Sequence, residues 1–176
     1  MLVTPGPAGG PTRRPLSAVR ALDLLVADSE LVYGPTLYGF DVERFVIEQG
    51  GYLSSYTEDV DGVEMTGAAI VEQVAQDFSV GPRVLLALIQ AHSGWVARPD
   101  PDVGTPLAQP VASLRDALLL TADQLNAGYY GHKLDELRTV ALADGAVLEL
   151  PDVNSGTFAV LATTWRSDTT ASWGGM

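Results

Sequence analysis

The sequence IVEQVAQDFSVGPRVLLALIQAHSGW, residues 70–95, decides the fold. The first half of this stretch places apolar side chains on one stripe at helical spacing, which predicts an amphipathic helix. Thr66 lies just before the stretch and is a residue type that caps helices. Gly81-Pro82 breaks that helix, and Pro82 suits the first turn of the next one. Residues 83–92 are apolar on nearly every side, which is typical of the buried centre of an all-α domain.

Shorter helical patterns flank this stretch. Residues 41–49 carry apolar side chains between charges after Asp41, which predicts a short helix that ends at Gly50-Gly51. A second pattern begins at Ser113 and is predicted to close at Asn126-Ala127-Gly128, and a third follows Asn154. Helices therefore supply most of the predicted core, and the predicted fold class is mainly α.

The segments between the helices carry other patterns. Residues 52–65 predict a polar, acidic connection, in which Asp61-Gly62 is a turn and not part of a calcium loop. Residues 97–110 contain four prolines and must form a loop. Two alternating runs joined by Asp144-Gly145 predict one small β-hairpin at about residues 138–150.

The totals favour one globular domain. Hydrophobic residues make up 47% of the 176 residues and charged residues 18%, which is enough apolar material for a packed core. We expect a linker-like N-terminal segment at 1–29, the helical domain at 30–167 and a flexible tail at 168–176. The Pro- and Gly-rich N-terminus has no apolar region of the signal-peptide kind, so the sequence reads as unexported, or as the interior of a longer exported protein.

The charge balance excludes several classes of partner. The chain has 22 acidic and 10 basic residues, a formal net charge of −12, and no basic stripe, so we expect it to bind neither nucleic acid nor an anionic membrane surface. No apolar stretch is long enough for membrane insertion. Cysteine is absent, and His92 and His132 have no second ligand nearby, so we expect no metal site and no cofactor.

Three features resemble the lysozyme-like soluble lytic transglycosylases. The turn Val80-Gly81-Pro82 and the helix end Ser93-Gly94-Trp95 are similar to that family's x-V-x-P turn and its Glu-Ser-Gly-aromatic helix end. Residues 124–128, QLNAG, are similar to the family's A-Y-N-A-G segment, and the order and spacing of the two stretches also agree. A wider similarity, over roughly residues 30–160, links the chain to N-terminal domains of Chloroflexota cell-wall proteins that carry LysM or metallopeptidase modules.

The resemblance also implies a degenerate member. In the active family the residue before Ser-Gly is a glutamate that protonates the glycosidic oxygen, and here it is His92. The family's Gly-Leu-Met-Gln loop is replaced by the proline-rich residues 97–110. The resemblance therefore implies a lysozyme-like domain, extracellular or in the cell envelope as part of a longer protein, that recognises peptidoglycan or another glycan strand with little or no catalysis. The ligand-binding residues that it implies are His92, Ser93, Trp95, Asn126, Tyr129 and Tyr130.

Each of these residues also has a structural interpretation. His92 binds sugar or interacts with the carbonyls at a helix end, and Trp95 stacks on a sugar ring or closes the core. Asn126 bonds an N-acetyl group or caps the end of its helix through a left-handed conformation. Tyr129-Tyr130 is the better candidate for sugar contact.

Two other functions stay open. One is an active muramidase or lytic transglycosylase with a relocated acid, either Glu64 or Glu72. The other is a structural module that associates with itself through an exposed apolar surface. The acidic run from Glu58 to Glu64 likewise has two interpretations, as carboxylates in a groove or as a solvated loop.

Overall fold

The computed structural model describes residues 13–14, 25–102, 104–142, 146–150 and 152–165. The predicted tail, most of the predicted linker and the turn Asp144-Gly145 lie outside these ranges. The described residues form six α-helices and five short strands, so the prediction of a mainly α fold is confirmed. In chain order the elements are β1 (Arg13–Arg14), α1 (Asp28–Leu31), α2 (Val42–Gln49), β2 (Thr57–Val60), β3 (Val63–Thr66), α3 (Gly67–Asp77), α4 (Pro82–Ser93), α5 (Leu114–Lys133), β4 (Thr139–Ala141), β5 (Val147–Glu149) and α6 (Ser155–Thr164).

Four helices begin at the residues that the sequence marks as caps. Each cap side chain accepts a hydrogen bond from the backbone N–H three residues later, which satisfies one of the unpaired donors of the first turn. The caps, with their distances, are Asp41 (2.9 Å), Thr66 (3.2 Å), Ser113 (3.1 Å) and Asn154 (3.3 Å). These predictions are confirmed.

Helix α4 is less enclosed than the sequence predicts. Its apolar side chains, such as Leu85 and Ile89, are buried in the main core, where α4 packs on α3, but Arg83, Ala87 and Gln90 are exposed along one side. That side faces α2 across an apolar groove of about 320 Å³. The exposed face of α4 consists of alanine and of long side chains with apolar stems, so the sequence pattern there resembles that of a buried helix.

Helix α5 does not end at Gly128, and the prediction that it does is wrong. It continues to Lys133, because Gly128 serves helix packing. A Cβ atom at this position would lie 3.0 Å from the Cα of Ala159 on α6, which is closer than side chains normally approach a backbone. The missing side chain lets α6 pack closely against α5, the longest helix among the described residues.

Two antiparallel hairpins accompany the helices. The predicted hairpin is present as β4 and β5, with Val140 opposite Leu148. The second hairpin, β2 with β3, lies in the segment predicted as an acidic connection. Its turn residues Asp61 and Gly62 have φ angles of 55° and 86°, and two consecutive left-handed residues match the twist of a tight hairpin. The turn was predicted correctly, but the strands beside it carry too many acidic residues to be recognised as strands.

A second apolar cluster joins α6 to the hairpin of β4 and β5. Phe158 and Leu161 pack there on Leu148, apart from the main core. The segment before α1 closes onto the same helix, since the hydroxyl of Thr157 accepts hydrogen bonds from the backbone N–H groups of Leu25 (2.8 Å) and Val26 (3.1 Å). The first long described segment is therefore fastened to the last described helix.

Candidate functional site

At the end of α4, His92 and Ser93 contact the proline-rich loop that follows the helix. His92 is exposed, and its Nε2 lies 3.5 Å from the hydroxyl oxygen of Thr105 in the proline-rich loop. Ser93 is buried, and its Oγ lies 2.9 Å from the Ile89 carbonyl oxygen and 3.1 Å from that of Pro106. Ser93 thus fastens the loop to the helix end, and only His92 of the two reaches solvent.

Trp95 lies inside the core. Only 3% of its surface is exposed, and its ring packs on Tyr52 and Tyr56 with centroid separations of 4.7 and 5.2 Å. Edge contacts of this kind stabilise aromatic clusters beyond the apolar area that they bury. The geometry is that of a residue closing the core, which is one of its two predicted roles.

Asn126 is committed to another helix. Its side-chain Nδ2 donates a 2.9 Å hydrogen bond to the backbone carbonyl of Phe78, the residue that follows α3. Unpaired carbonyls at a helix end need such a donor. Asn126 therefore caps the end of α3 from the middle of α5, and it does not take the left-handed conformation predicted for it.

The two tyrosines of α5 have different surroundings. Tyr129 is buried, and its hydroxyl accepts a 2.6 Å hydrogen bond from Lys133 while lying 3.4 Å from a carboxylate oxygen of Asp28. The hydrogen bond to Tyr129 raises the pKa of Lys133. Tyr130 is 51% exposed, with its ring edge-on to that of Tyr129.

These predicted residues do not meet in one groove. Asn126 contacts Phe78, just before α4 begins, whereas His92 lies in the last turn of α4. At 1.5 Å per residue, the ten residues from Pro82 to His92 separate the two places by about 15 Å. Sugar contact by His92 or Tyr130 stays a prediction, but the structure does not assemble His92, Asn126 and Tyr129 into a shared site.

The acidic run contains one half-buried carboxylate that anchors the hairpin to α5. The carboxylate of Glu58 accepts hydrogen bonds from the Tyr56 hydroxyl (2.7 Å), the Ser113 hydroxyl (2.7 Å) and the Leu114 backbone N–H (2.8 Å). Partial burial acts to raise the pKa of Glu58, but these hydrogen bonds outweigh it and lower the pKa below its ordinary value. An ionised carboxylate at the start of α5 also interacts favourably with the helix dipole.

An open groove of about 560 Å³ lies between the β2–β3 hairpin and α3. Val63 and Met65 supply apolar surface, and the outer face of α3 supplies a carboxylate and two amides. The lining residues are Val60, Asp61, Val63, Met65, Ala69, Glu72, Gln73 and Gln76. The sequence signal for this groove is the set of polar residues at 72, 73 and 76 on one face of a helix that follows the Asp61-Gly62 turn.

The two alternative acids lie in different places. Glu72 lines the groove, where its Oε1 accepts hydrogen bonds from the Tyr33 hydroxyl (3.1 Å) and the Gln76 amide (2.6 Å). Its Oε2 accepts none from any residue that the structure describes. Glu64 alternates with Val63 and Met65 along β3, so it points to the opposite face of the hairpin, where it stands across from Asp59.

The described ranges contain no group of three residues that could hold a metal ion, and none of their helices is long and apolar enough to cross a membrane. The described residues thus form a mainly α domain with an open surface groove, and His92 stands at the helix end where the lytic transglycosylases that the sequence resembles carry an acid.

The family model described as LasA, N-terminal domain, matches residues 24–175. The chain therefore belongs to this family of cell-wall-related domains. Neither a curated protein nor a solved structure matches it. This match does not show that the chain belongs to the lytic transglycosylases, which it resembles only in the short motifs described above.

Proposed function

We propose that the chain is a non-catalytic recognition domain of an extracellular or cell-envelope protein, and that it binds glycan strands of the cell wall in the groove between α3 and the β2–β3 hairpin. Membership of a cell-wall-related family supports the setting. The groove supports the binding, and it is the observation that carries the proposal.

The chemistry of the lining fits a sugar chain. Sugar rings present hydroxyl and N-acetyl groups that both donate and accept hydrogen bonds, together with apolar faces. Gln73 and Gln76 offer both kinds of hydrogen-bonding group, and the free Oε2 of Glu72 accepts. Val63, which is 61% exposed, and Met65 supply apolar contact. A few placed polar groups over an apolar floor are the usual composition of a ligand site.

The net negative charge of the chain disfavours binding of polyanions to the groove. At −12 the chain repels nucleic acids and other dense polyanions, whereas the uncharged sugar rings of a glycan strand are not repelled. Asp61, at the mouth of the groove, is already 3.5 Å from Arg115, so its charge is partly balanced. Recognition then depends on hydrogen bonds and apolar contact more than on charge.

The test is retention on purified, insoluble peptidoglycan. We expect wild-type protein to be retained, and the double variant Gln73→Ala/Gln76→Ala to lose most of that retention. Gln49→Ala, an exposed glutamine on α2 outside the groove, is the matched control and should bind like wild type. Loss of retention in His92→Ala/Tyr130→Ala, with the groove variant unaffected, would contradict the groove. Wild type retained no better than an unrelated acidic protein would contradict glycan recognition altogether.

A second candidate, an active peptidoglycan glycosidase, is favoured by one observation. Glu72 and Asp61 line the same groove, and glycosidases commonly use two carboxylates. Wild-type protein that clears a suspension of cell walls, with activity lost in Glu72→Gln and kept in Glu64→Gln, would support this candidate. Turbidity unchanged by wild type at high concentration removes it.

A further inference from the structure

The carboxylate of Glu72 is held from two sides at one of its oxygens. Its Oε1 accepts a hydrogen bond from the Tyr33 hydroxyl at 3.1 Å and a second from the Nε2 amide of Gln76 at 2.6 Å. Rotation of the carboxylate away from this orientation would break both hydrogen bonds, so its plane is fixed. The other oxygen, Oε2, accepts no hydrogen bond from a described residue and keeps its acceptor sites for a ligand in the groove.

Tyr33 reaches Glu72 from a separate segment, the link between α1 and α2. Its backbone N–H donates to the carbonyl of Ser79 at 2.8 Å, and the residue before it, Val32, forms a β-bridge with Val80. Its half-buried ring packs against the main core. A tyrosine side chain has only two rotatable bonds, so a ring that is fixed at its backbone and packed on the core holds its hydroxyl in one place.

The phenol of Tyr33 stays in its protonated, donating form. Burial raises its pKa above the ordinary value, the hydrogen bond to Glu72 and the charge of that carboxylate raise it further, and Gln76 opposes them in part. Each of the raising causes disfavours the phenolate. The Tyr33 hydroxyl is therefore a donor to Glu72 at neutral pH.

The Glu72 carboxylate selects ligands that donate hydrogen bonds, because an ionised carboxylate accepts hydrogen bonds and can donate none. The hydroxyl groups of a neutral sugar are such donors. A carboxylate on the ligand would instead be repelled by Glu72, and none of the described residues that line the groove is basic. We therefore expect the groove to take neutral sugars and to exclude sugars that carry an acid.

We infer that Tyr33 is a positioning residue of the groove: it holds the Glu72 carboxylate so that Oε2 accepts hydrogen bonds from the hydroxyl groups of a neutral sugar. The inference rests on the proposed glycan-binding function, and it names the chemical group of the ligand that is recognised. An acceptor that is already fixed loses less conformational freedom on binding than a mobile one, so positioning strengthens the complex. Tyr33 acts through Glu72 and need not touch the sugar.

Isothermal titration calorimetry with a soluble N-acetylglucosamine oligomer tests the inference. We expect Tyr33→Phe to weaken binding by about threefold to tenfold, because a charge-assisted hydrogen bond no longer holds the acceptor. Glu72→Ala, which removes the acceptor itself, should weaken binding by about tenfold or more. Tyr38→Phe is the matched control: it removes the hydroxyl of a tyrosine that is 75% exposed, and it should bind like wild type.

The double variant Tyr33→Phe/Glu72→Ala separates positioning from a merely structural role. If Tyr33 acts through Glu72, its change has no further effect once Glu72 is gone, so the double variant binds like Glu72→Ala. If Tyr33 only supports the fold, the two losses of affinity multiply. Multiplying losses would overturn the inference, as would equal weakening by Tyr33→Phe and Tyr38→Phe.

Absorbance titration of the tyrosines tests the contact without any glycan. The Tyr33 transition is the one missing from Tyr33→Phe, and its pKa should fall in Glu72→Ala because the hydrogen bond and the charge that raise it are removed. A Tyr33 pKa that Glu72→Ala leaves unchanged would show that the two side chains do not meet in solution, and the inference would fail.

Selection against acidic sugars is measured with a matched pair of ligands, the neutral oligomer and the same oligomer oxidised at C6 to the uronic acid. Wild type should bind the neutral form at least about tenfold more tightly, and Glu72→Ala should lose most of that preference. Equal binding of the two forms by wild type would overturn the selection. If wild type and Tyr33→Phe bind the neutral oligomer equally well, the inference fails and the proposed function stands. If wild type binds no glycan, both fail.

Discussion

The carboxylate of Glu58 accepts the backbone N–H of Leu114 at 2.8 Å, so a β-hairpin residue completes the start of a helix 56 positions further along the chain. The same carboxylate accepts the hydroxyls of Tyr56 and Ser113, and Ser113 is itself the cap of that helix. Glu58 therefore joins the groove-forming hairpin to α5, and its contacts lead to two of the predictions below.

Replacing Glu58 by alanine should lower the free energy of unfolding by about 2 kcal/mol, because hydrogen bonds to a charged group contribute about that much and their donors would be left unpaired. Urea denaturation followed by circular dichroism measures this change. Glu136→Ala, at an exposed carboxylate that accepts no hydrogen bond from the described residues, should change stability by less than about 0.5 kcal/mol. Equal effects at the two positions would show that Glu58 is not an anchor.

The contribution of Glu58 should also depend on pH. Its pKa is lowered in the folded state, so its stabilisation is complete above the unfolded-state value of about 4.3 and is lost as pH falls through the lower folded-state value. Denaturation of wild type and Glu58→Gln should therefore differ most near neutral pH and converge in acid. A difference that stays constant down to pH values of about 2 would contradict this assignment.

Replacing Glu64 by lysine should stabilise the fold by about 0.5 kcal/mol. Glu64 stands directly across from Asp59 on the exposed face of the hairpin, and like charges in that position repel. Glu64→Gln should give part of the gain, by removing repulsion without adding attraction. Both gains should shrink in about 1 M salt, where exposed charges are screened, and a gain that does not depend on salt would need another cause.

Replacing Gly128 by alanine should destabilise the protein by about 1–3 kcal/mol, although alanine is normally the better helix former. The added Cβ would meet the Cα of Ala159 at 3.0 Å, and a backbone atom there cannot move without shifting α6. Gly131→Ala in the same helix is the comparison, because the nearest atom is the Cδ1 of Leu137, the end of a side chain that can rotate. Thermal unfolding should rank Gly131→Ala as the milder change.

Acid should weaken the packing of α5 against α6 through His132. This residue is buried, its Nδ1 lies 3.0 Å from the Ser155 hydroxyl, and its ring stacks on Phe158. Burial, with Arg138 nearby, lowers its pKa, and the Leu150 backbone and the charge of Asp28 oppose that shift only in part. The folded state therefore resists the proton that the unfolded state accepts, and stability falls as pH drops below about 6.5.

The pH dependence of thermal unfolding between about pH 7 and 5 measures this effect, in the range where histidine titrates. His132→Gln removes the titrating group and should flatten the profile, even if it lowers stability overall. His92→Gln, the matched change at the exposed histidine, should keep the wild-type slope. A slope lost with His92 and kept with His132 would reverse the assignment.

The sequence predicts those helix starts that depend mainly on interactions between neighbouring residues. The caps at Asp41 and Thr66 begin their helices because the hydrogen bond of each cap side chain joins it only to the first turn that follows it. Asn154 caps α6 in the same way through its Oδ1, although its Nδ2 also bonds the distant residues Val26 and Asp28.

Gly128 looked like a helix end for the same local reason, but its partner Ala159 lies on a helix that a one-dimensional pattern does not place beside it. The sequence alone does not distinguish a glycine that allows two helices to pack closely from a glycine that ends a helix.

The site was harder to predict than the fold for a related reason. Asn126 and His92 resemble parts of one family's groove, yet Asn126 bonds Phe78, 48 positions earlier, and that bond decides where its side chain points. The sequence predicts Glu72 as an alternative acid, and Glu72 lines the groove between α3 and the β2–β3 hairpin. Across the groove from Glu72 lies the β2–β3 hairpin, whose strands carry so many acidic residues that the sequence does not predict them as strands.

The hydrogen bonds from Leu25 and Val26 to Thr157 span 132 and 131 positions. A ribosome releases the residues before α1 first, so these backbone groups must wait until Thr157 has emerged before they find their acceptor. Contacts of such long range are also slow to form in refolding. Closure of this seam therefore waits for α6, and a chain cut short before α6 lacks the acceptor that closes it.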